Sequence, residues 1–207
     1  NSKDIIFLSL MIIAVYYSLK TLKNFGYKNL FLSCLFCALA TNIRIIGLYL
    51  PLLIFFFYYF KEKKNNEINT YYFFTLYFSI YFIILYLIWP FLWNNPIGNF
   101  FFVLSESMNY PSWWDFKTFY LGQYLDPENL PWHYFFIWFG VTTPPIFLLL
   151  ILFGIMYFIK EYFSYFLKIK LNSDIFLWKN ENGMIDLFFF LLFFTPLFFV
   201  ICLNSTM

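Results

Sequence analysis

Charge is missing from three long stretches of this 207-residue chain, and that absence constrains it more than any motif does. No Asp, Glu, Lys or Arg occurs from Ile68 to Ser105, from Asn129 to Ile159, or from Leu187 to Met207. Each stretch holds an apolar run able to cross the ~30 Å hydrocarbon layer, which takes about 20 helical residues. The composition agrees: 62% of residues are hydrophobic, 29% aromatic and only 12% charged. An ordinary soluble domain has roughly 45–50% apolar and about 25% charged residues. So few charges cannot clothe the surface of a water-soluble enzyme, and so much apolar side chain excludes disorder. The net charge of +2 offers no basic footprint for nucleic acid. The expected solvent is a lipid bilayer.

Backbone groups cannot go unpaired in lipid, and the apolar runs lack the alternation of a barrel strand. The fold class expected is therefore all-α, a polytopic integral membrane protein. Four spans read directly as 5–19, 71–93, 134–159 and 187–203. Residues 29–60 form one further apolar block, interrupted by Thr41-Asn42-Ile43-Arg44. As a single helix it would be about 48 Å long, with Arg44 near mid-bilayer. As a hairpin of 29–42 and 45–60, it places Arg44 at a water-facing turn. The lysines favour the hairpin. It puts Lys20, Lys23, Lys28, Lys61, Lys63, Lys64, Lys160, Lys168, Lys170 and Lys179 on one side, leaving Lys3, Arg44 and Lys117 on the other. That asymmetry obeys the positive-inside rule. The expectation is about six spans in one transmembrane domain, both ends outside the cytoplasm, and one long extracytoplasmic loop, 94–133.

The segment 161–186, which mixes lysines with aromatics, reads as an interfacial element on the cytoplasmic side. The chain starts at Asn1 and stops at Met207 just past a span, which reads as an internal piece of a longer protein. Within the outer loop, Asn95-Pro96 is a helix start, and Ile97, Phe100, Phe101, Leu104 and Met108 follow at helical spacing opposite Asn99, Ser105 and Glu106. An amphipathic surface helix is expected there.

Functional candidates gather in this loop and at the hairpin turn. Arg44 stands in an apolar block, where an ionisable residue is expensive and usually functional. Its planar fork suits phosphate, although snorkelling to lipid headgroups would equally account for it. Glu106 and Asp115 are loop acids, most simply solvated. Trp132, His133 and Tyr134 close the loop, where Trp commonly anchors a span end. His133 is the only histidine, and no four-ligand metal spacing accompanies it. Cys34 and Cys37 imitate a CxxC motif inside an apolar helix, where core packing is the expected role. Asn204-Ser205-Thr206 is a weak glycosylation match against a span end.

An ordered series of motifs carries a resemblance. It runs Trp89-Pro90-Phe91-Leu92-Trp93-Asn94-Asn95-Pro96, Phe119-Tyr120-Leu121-Gly122, Leu130-Pro131-Trp132-His133-Tyr134 and Thr142-Thr143-Pro144-Pro145, preceded by Ala38 to Leu48 and Pro51. The series resembles bacterial membrane glycosyltransferases of family 39, related to protein O-mannosyltransferases and aminoarabinose transferases. The resemblance covers most of residues 30–160. It implies a partial GT-C fold in the bacterial inner membrane, with the active side extracytoplasmic. It implies a polyprenyl-phosphate-linked sugar as donor, an acceptor lipid, glycan or protein, and no cofactor, with a divalent metal left open. Arg44 would contact the donor phosphate, and Glu106, Asp115, Trp132, His133 and Tyr134 would shape the sugar or acceptor site. The catalytic carboxylate of such enzymes sits in a first outer loop with no counterpart here, so it is expected upstream of residue 1. The competing readings are a non-enzymatic transporter or flippase of lipid-linked sugars and a structural membrane subunit.

Overall fold

A helix in lipid satisfies its own backbone but gains nothing from burying apolar side chains against another helix, so tight packing depends on small residues and hydrogen bonds. Both occur early in this chain. The computed structural model describes residues 2–65, 70–108, 117–126, 130–131, 133–168, 177–178 and 180–202. They form eight α-helices and one short hairpin among the described residues: α1 (Ser2–Lys23), α2 (Tyr27–Ile43), α3 (Tyr49–Asn65), α4 (Thr70–Ile88), α5 (Pro96–Met108), β1 (Thr118–Tyr120), β2 (Gln123–Leu125), α6 (Tyr134–Thr142), α7 (Pro145–Lys168) and α8 (Glu181–Cys202). Two compact units share them: Asn1–Ser107 with Phe176–Leu192, and Met108–Ile175 with Phe193–Met207.

In the first unit α2 is the central helix. Leu30, Ser33, Cys34, Cys37, Ala38, Ala40 and Thr41 are all buried, facing Ala14, Ser18, Thr21 and Leu22 of α1 and the stripe Phe73, Tyr77, Tyr81, Leu85 of α4. The four-residue spacing of that stripe keeps it on one helix face. A row of polar atoms runs through the contact. The Ser18 hydroxyl donates to the Ala14 carbonyl at 2.6 Å and lies 2.9 Å from the Ser33 hydroxyl, which lies 3.1 Å from that of Tyr77. One turn on, the Tyr81 hydroxyl donates to Thr41 Oγ1 at 2.8 Å. The Cys34 and Cys37 thiols take part, each 3.5 Å from an oxygen of Tyr77, so their role is in the core.

α3 and the first half of α8 complete this unit through aromatic stacking. Tyr58 lies flat on Phe73 at 3.6 Å between centroids, and Phe57 meets Trp178 and Phe188 at 5.4 and 5.3 Å. The Tyr49 hydroxyl donates to the Leu191 carbonyl at 2.9 Å.

The interruption at Arg44 is real. α2 ends there, with Arg44 extended at φ −142° and ψ 127°, and a single 3-10 turn, Ile45–Leu48, leads into α3. Gly47 permits this by lying against the last turn of α2, where an added Cβ would come within 2.7 Å of the Thr41 nitrogen. Pro51 then falls in the first turn of α3, where a missing N–H is harmless. Lateral contacts give the directions. Tyr27, Ser33 and Thr41 meet Tyr72, Tyr77 and Tyr81 in turn, so α2 and α4 run parallel. Lys61 donates to the Lys23 carbonyl at 3.1 Å, while Arg44 pairs with Asp4. Lys23 and Lys61 thus occupy one end of the helices, and Lys3, Asp4 and Arg44 the other.

Other boundaries differ from those expected. α1 is longer than 5–19, running from Ser2 to Lys23. α4 stops at Ile88 rather than Trp93, because Pro90 holds Trp89 extended at φ −118° before a 3-10 turn. Trp93 then donates its indole N–H to the Tyr86 carbonyl at 2.8 Å, satisfying one of the helix's last acceptors. The stretch 134–159 is not one helix: Thr143 is extended, Pro144 and Pro145 follow, and α6 and α7 separate. α7 continues to Lys168, so 161–168 prolongs a helix instead of forming a separate interfacial element. α8 begins at Glu181, six residues before the expected 187, with Asn180 Oδ1 accepting from the Gly183 N–H at 3.3 Å.

Long apolar helices mark the chain as a membrane protein. Among the described residues four are long and apolar enough to cross: Lys3–Lys23, Thr70–Ile88, Pro145–Tyr162 and Glu181–Phe198. The apolar part of α3 is shorter, and α2 has 17 residues, about 25 Å at the usual rise. None of the crossing stretch of α7 is buried within the protein, and its all-round apolar surface suits lipid.

Two glycine substitutions should behave oppositely. Gly47→Ala forces a methyl into the α2 backbone and should cost about 1–3 kcal/mol, the usual overpacking range. Gly154→Ala, whose Cβ meets nothing within 4 Å, should be neutral or stabilising by up to about 1 kcal/mol. Unfolding midpoints in detergent would measure both. Ser33→Ala, which removes the middle of the polar row, should lower stability by about 0.6–1.7 kcal/mol.

Candidate functional site

Arg44 follows the last turn of α2, and Asp4 lies in the first turn of α1, where a carboxylate is favoured by the helix dipole. The break in the chain brings them together: Arg44 Nη2 donates to Asp4 Oδ1. Both side chains are about half exposed, at 48% and 50%. An ion pair so open to its surroundings contributes at most about 1 kcal/mol. Its fork of five N–H donors therefore remains accessible to a second anion.

α5 starts as its sequence signals. Asn95 Oδ1 accepts from the Gly98 N–H at 3.1 Å, and Pro96 opens the helix. Phe100 packs inward, 6.1 Å from the Phe82 ring, whereas Ile97 and Phe101 are exposed. Asn99, expected opposite the apolar residues, donates to the Phe91 carbonyl at 2.5 Å. Glu106 is exposed in the last turn.

In the second unit the hairpin is the one β structure among the described residues. Thr118, Phe119 and Tyr120 pair with Leu125, Tyr124 and Gln123. Leu121 and Gly122 form the turn with φ of 47° and 85°, the two positive values of a type I′ turn. Gly takes its place without strain, while Leu adopts a conformation rare for a side chain of its size. Alternation sends neighbours to opposite faces. Tyr120 turns toward the start of α6, its ring 5.1 Å from Tyr134 and 5.9 Å from His133. Its buried hydroxyl has no hydrogen-bond partner among the described residues. Phe119 and Tyr124 pair on the other face at 5.2 Å and are exposed.

His133 stands at the N-cap of α6, and its carbonyl accepts from the Ile137 N–H at 3.2 Å. Of the sequence-derived candidates, then, the fold joins His133 to Tyr134 and adds Tyr120, which the residue-by-residue reading passed over. The signal was present: Phe-Tyr and Gln-Tyr-Leu flank a Leu-Gly pair, a strand-turn-strand pattern. Arg44 and Glu106 belong to the first unit and this aromatic group to the second. Asp115, Trp132, and the sequon 204–206 lie outside the described residues. Among the described residues, no three His, Cys, Asp or Glu side chains gather to hold a metal ion.

No protein-family model, curated protein or solved structure matches this chain.

Two substitutions separate function from stability here. Arg44→Ala should cost less than about 1 kcal/mol of stability, because the pair is half exposed. Tyr120→Phe removes a hydroxyl without a partner among the described residues, and should leave stability unchanged or raise it by up to about 1 kcal/mol, read from the thermal midpoint. A clear fall in either midpoint would contradict the arrangement described.

Proposed function

We propose that this chain is part of an integral-membrane glycosyltransferase that moves a sugar from a polyprenyl-phosphate donor to an acceptor hydroxyl. The observation that carries the reading is the half-exposed Arg44 at the helix ends opposite Lys23 and Lys61. The positive-inside rule makes the lysine end cytoplasmic, so Arg44 belongs to the extracytoplasmic headgroup level, where a lipid-linked phosphate lies. The ordered motif series from Trp89 to Pro145 supports the same family reading. Six spans, with α2 and α3 as a short pair, and a bacterial inner membrane belong to this proposal.

The chemistry follows from charge. The acceptor oxygen bonds to the anomeric carbon while the bond from that carbon to the phosphate oxygen breaks, and the leaving phosphate gains negative charge. Arg44 donates its N–H groups to that phosphate, interactions that strengthen as the charge develops. Asp4 holds the guanidinium until the phosphate replaces it. The acceptor proton passes to a carboxylate expected outside residues 1–207. The resemblance assigns His133 and Tyr134 to the sugar or acceptor side.

The buried hydroxyls of Ser18, Ser33, Tyr77 and Thr41 are the one observation that favours a transporter of lipid-linked sugars instead, since transporters place polar groups within their spans. Ser18, Ser33 and Tyr77 bond to one another and Thr41 to Tyr81, which fits helix adhesion better than cargo binding.

The test is transfer of labelled sugar from polyprenyl-phosphate donors by the full-length protein in proteoliposomes. Arg44→Ala should lower the rate by about 10²–10³-fold, as does loss of one charge-stabilising donor elsewhere. No transfer across a panel of donors, or transfer indifferent to Arg44→Ala, overturns the reading. Transbilayer movement of the donor without transfer would establish the transporter.

A further inference from the structure

The β1–β2 hairpin has its polarity arranged along its length. Its open end carries Lys117 and Asp126, both exposed. Its closed end carries Leu121, 72% exposed, with the Phe119 and Tyr124 rings beside it at 63% and 71%. A hairpin in water normally turns on Asn, Asp or Gly at the first position of a type I′ turn. Here an aliphatic side chain occupies that position at φ 47°, in a region where Leu is disfavoured. The hairpin thus retains an apolar tip despite the conformational cost.

The hairpin is mounted on an apolar helix. Tyr120 fixes it to Tyr134 at the start of α6, and α6 has no buried residue of its own among Tyr134–Thr142. Phe136, Trp138 and Val141 of that helix are exposed. A nine-residue helix spans about 13 Å, too little to cross a bilayer, yet its surface is apolar all round. Hairpin and helix together form one apolar element joined to the crossing helix α7.

We propose that the hairpin is a lipid-inserting wedge: Leu121, Phe119 and Tyr124 enter the interfacial layer of the bilayer, while Lys117 and Asp126 stay at the aqueous edge. The partner is lipid rather than a soluble protein or a free glycan, because the charges stand only at the open end and the closed end is bare of them. Aromatic rings at headgroup depth and an aliphatic tip beyond them match the polarity gradient of that layer.

Spin labels test the depth without removing the wedge. With Cys202→Ser as background, Gln123→Cys places a label next to the tip and Lys117→Cys one at the base. The buried Cys34 and Cys37 are controlled by the unsubstituted background. In the full-length protein in phosphatidylcholine–phosphatidylglycerol vesicles, the label at 123 should collide with lipid-soluble oxygen and be shielded from a water-soluble nickel chelate. The label at 117 should show the reverse. Leu121→Asn, which suits the left-handed turn better than Leu, should keep the hairpin and shift the label at 123 toward the nickel chelate. Equal nickel access at 123 and 117 overturns the proposal by placing the tip in water. Shielding of 123 from both reagents overturns it by showing a protein cover. An unmoved label in the Leu121→Asn protein overturns it as well.

Discussion

The contact of α2 with α1 and α4, fastened by the row Ser18, Ser33, Tyr77, is what the first unit depends on. In a bilayer the hydrophobic effect does not press one apolar helix against another, because lipid tails satisfy Leu and Phe as well as protein does. Helices that stay together need backbones close enough for dispersion and polar groups that find better partners in each other. α2 meets both needs with Ser33, Cys34, Cys37, Ala38 and Thr41, and α1 answers with Ala14 and Ser18. The larger aromatic residues of α4 fill the space left by these small ones, and their hydroxyls reach the same polar row.

That packing has a consequence at the ends of the helices. With α2 locked in position, the chain beyond it must either continue into solvent or turn back. Gly47 lets it turn back at van der Waals distance from Thr41, and the turn leaves Arg44 beside the start of α1. The pairing with Asp4 is then a result of three helices being in register. The same register gathers Lys23 and Lys61 at the opposite end. The functional reading rests on the two ends this creates: Arg44, accessible to phosphate, beside Asp4 at one, and Lys23 with Lys61 at the other.

Much of this was legible residue by residue. Polar Thr41-Asn42 with Arg44 announced a break, since a guanidinium at mid-bilayer is far costlier than one at a turn. Asn95-Pro96 announced the start of α5, because capping is a local interaction between neighbours. The misreadings share a physical cause. Trp89 to Trp93 and Tyr134 to Ile159 are apolar throughout, and hydropathy alone passes over Pro90 and Pro144, although each proline removes a donor and bends the chain. The bond from Asn99 was invisible because its partner, the Phe91 carbonyl, lies in the 3-10 turn that Pro90 opens. The hairpin was overlooked because three-residue strands carry too little periodicity to stand out among aromatics.

By itself, the sequence determined the solvent and the dominance of helix: charge-free runs demand lipid, lipid demands helices, and prolines and caps set where several of them begin. Only the tertiary structure decided which side chains meet. The Arg44–Asp4 pair, the Ser18–Ser33–Tyr77 row and the union of Tyr120 with His133 and Tyr134 join residues from separate elements. Such meetings depend on helix register and on the two faces of a strand, quantities that arise only when elements pack. The charge-free stretches therefore specify a membrane protein, while its candidate chemistry depends on where a few polar side chains come to rest.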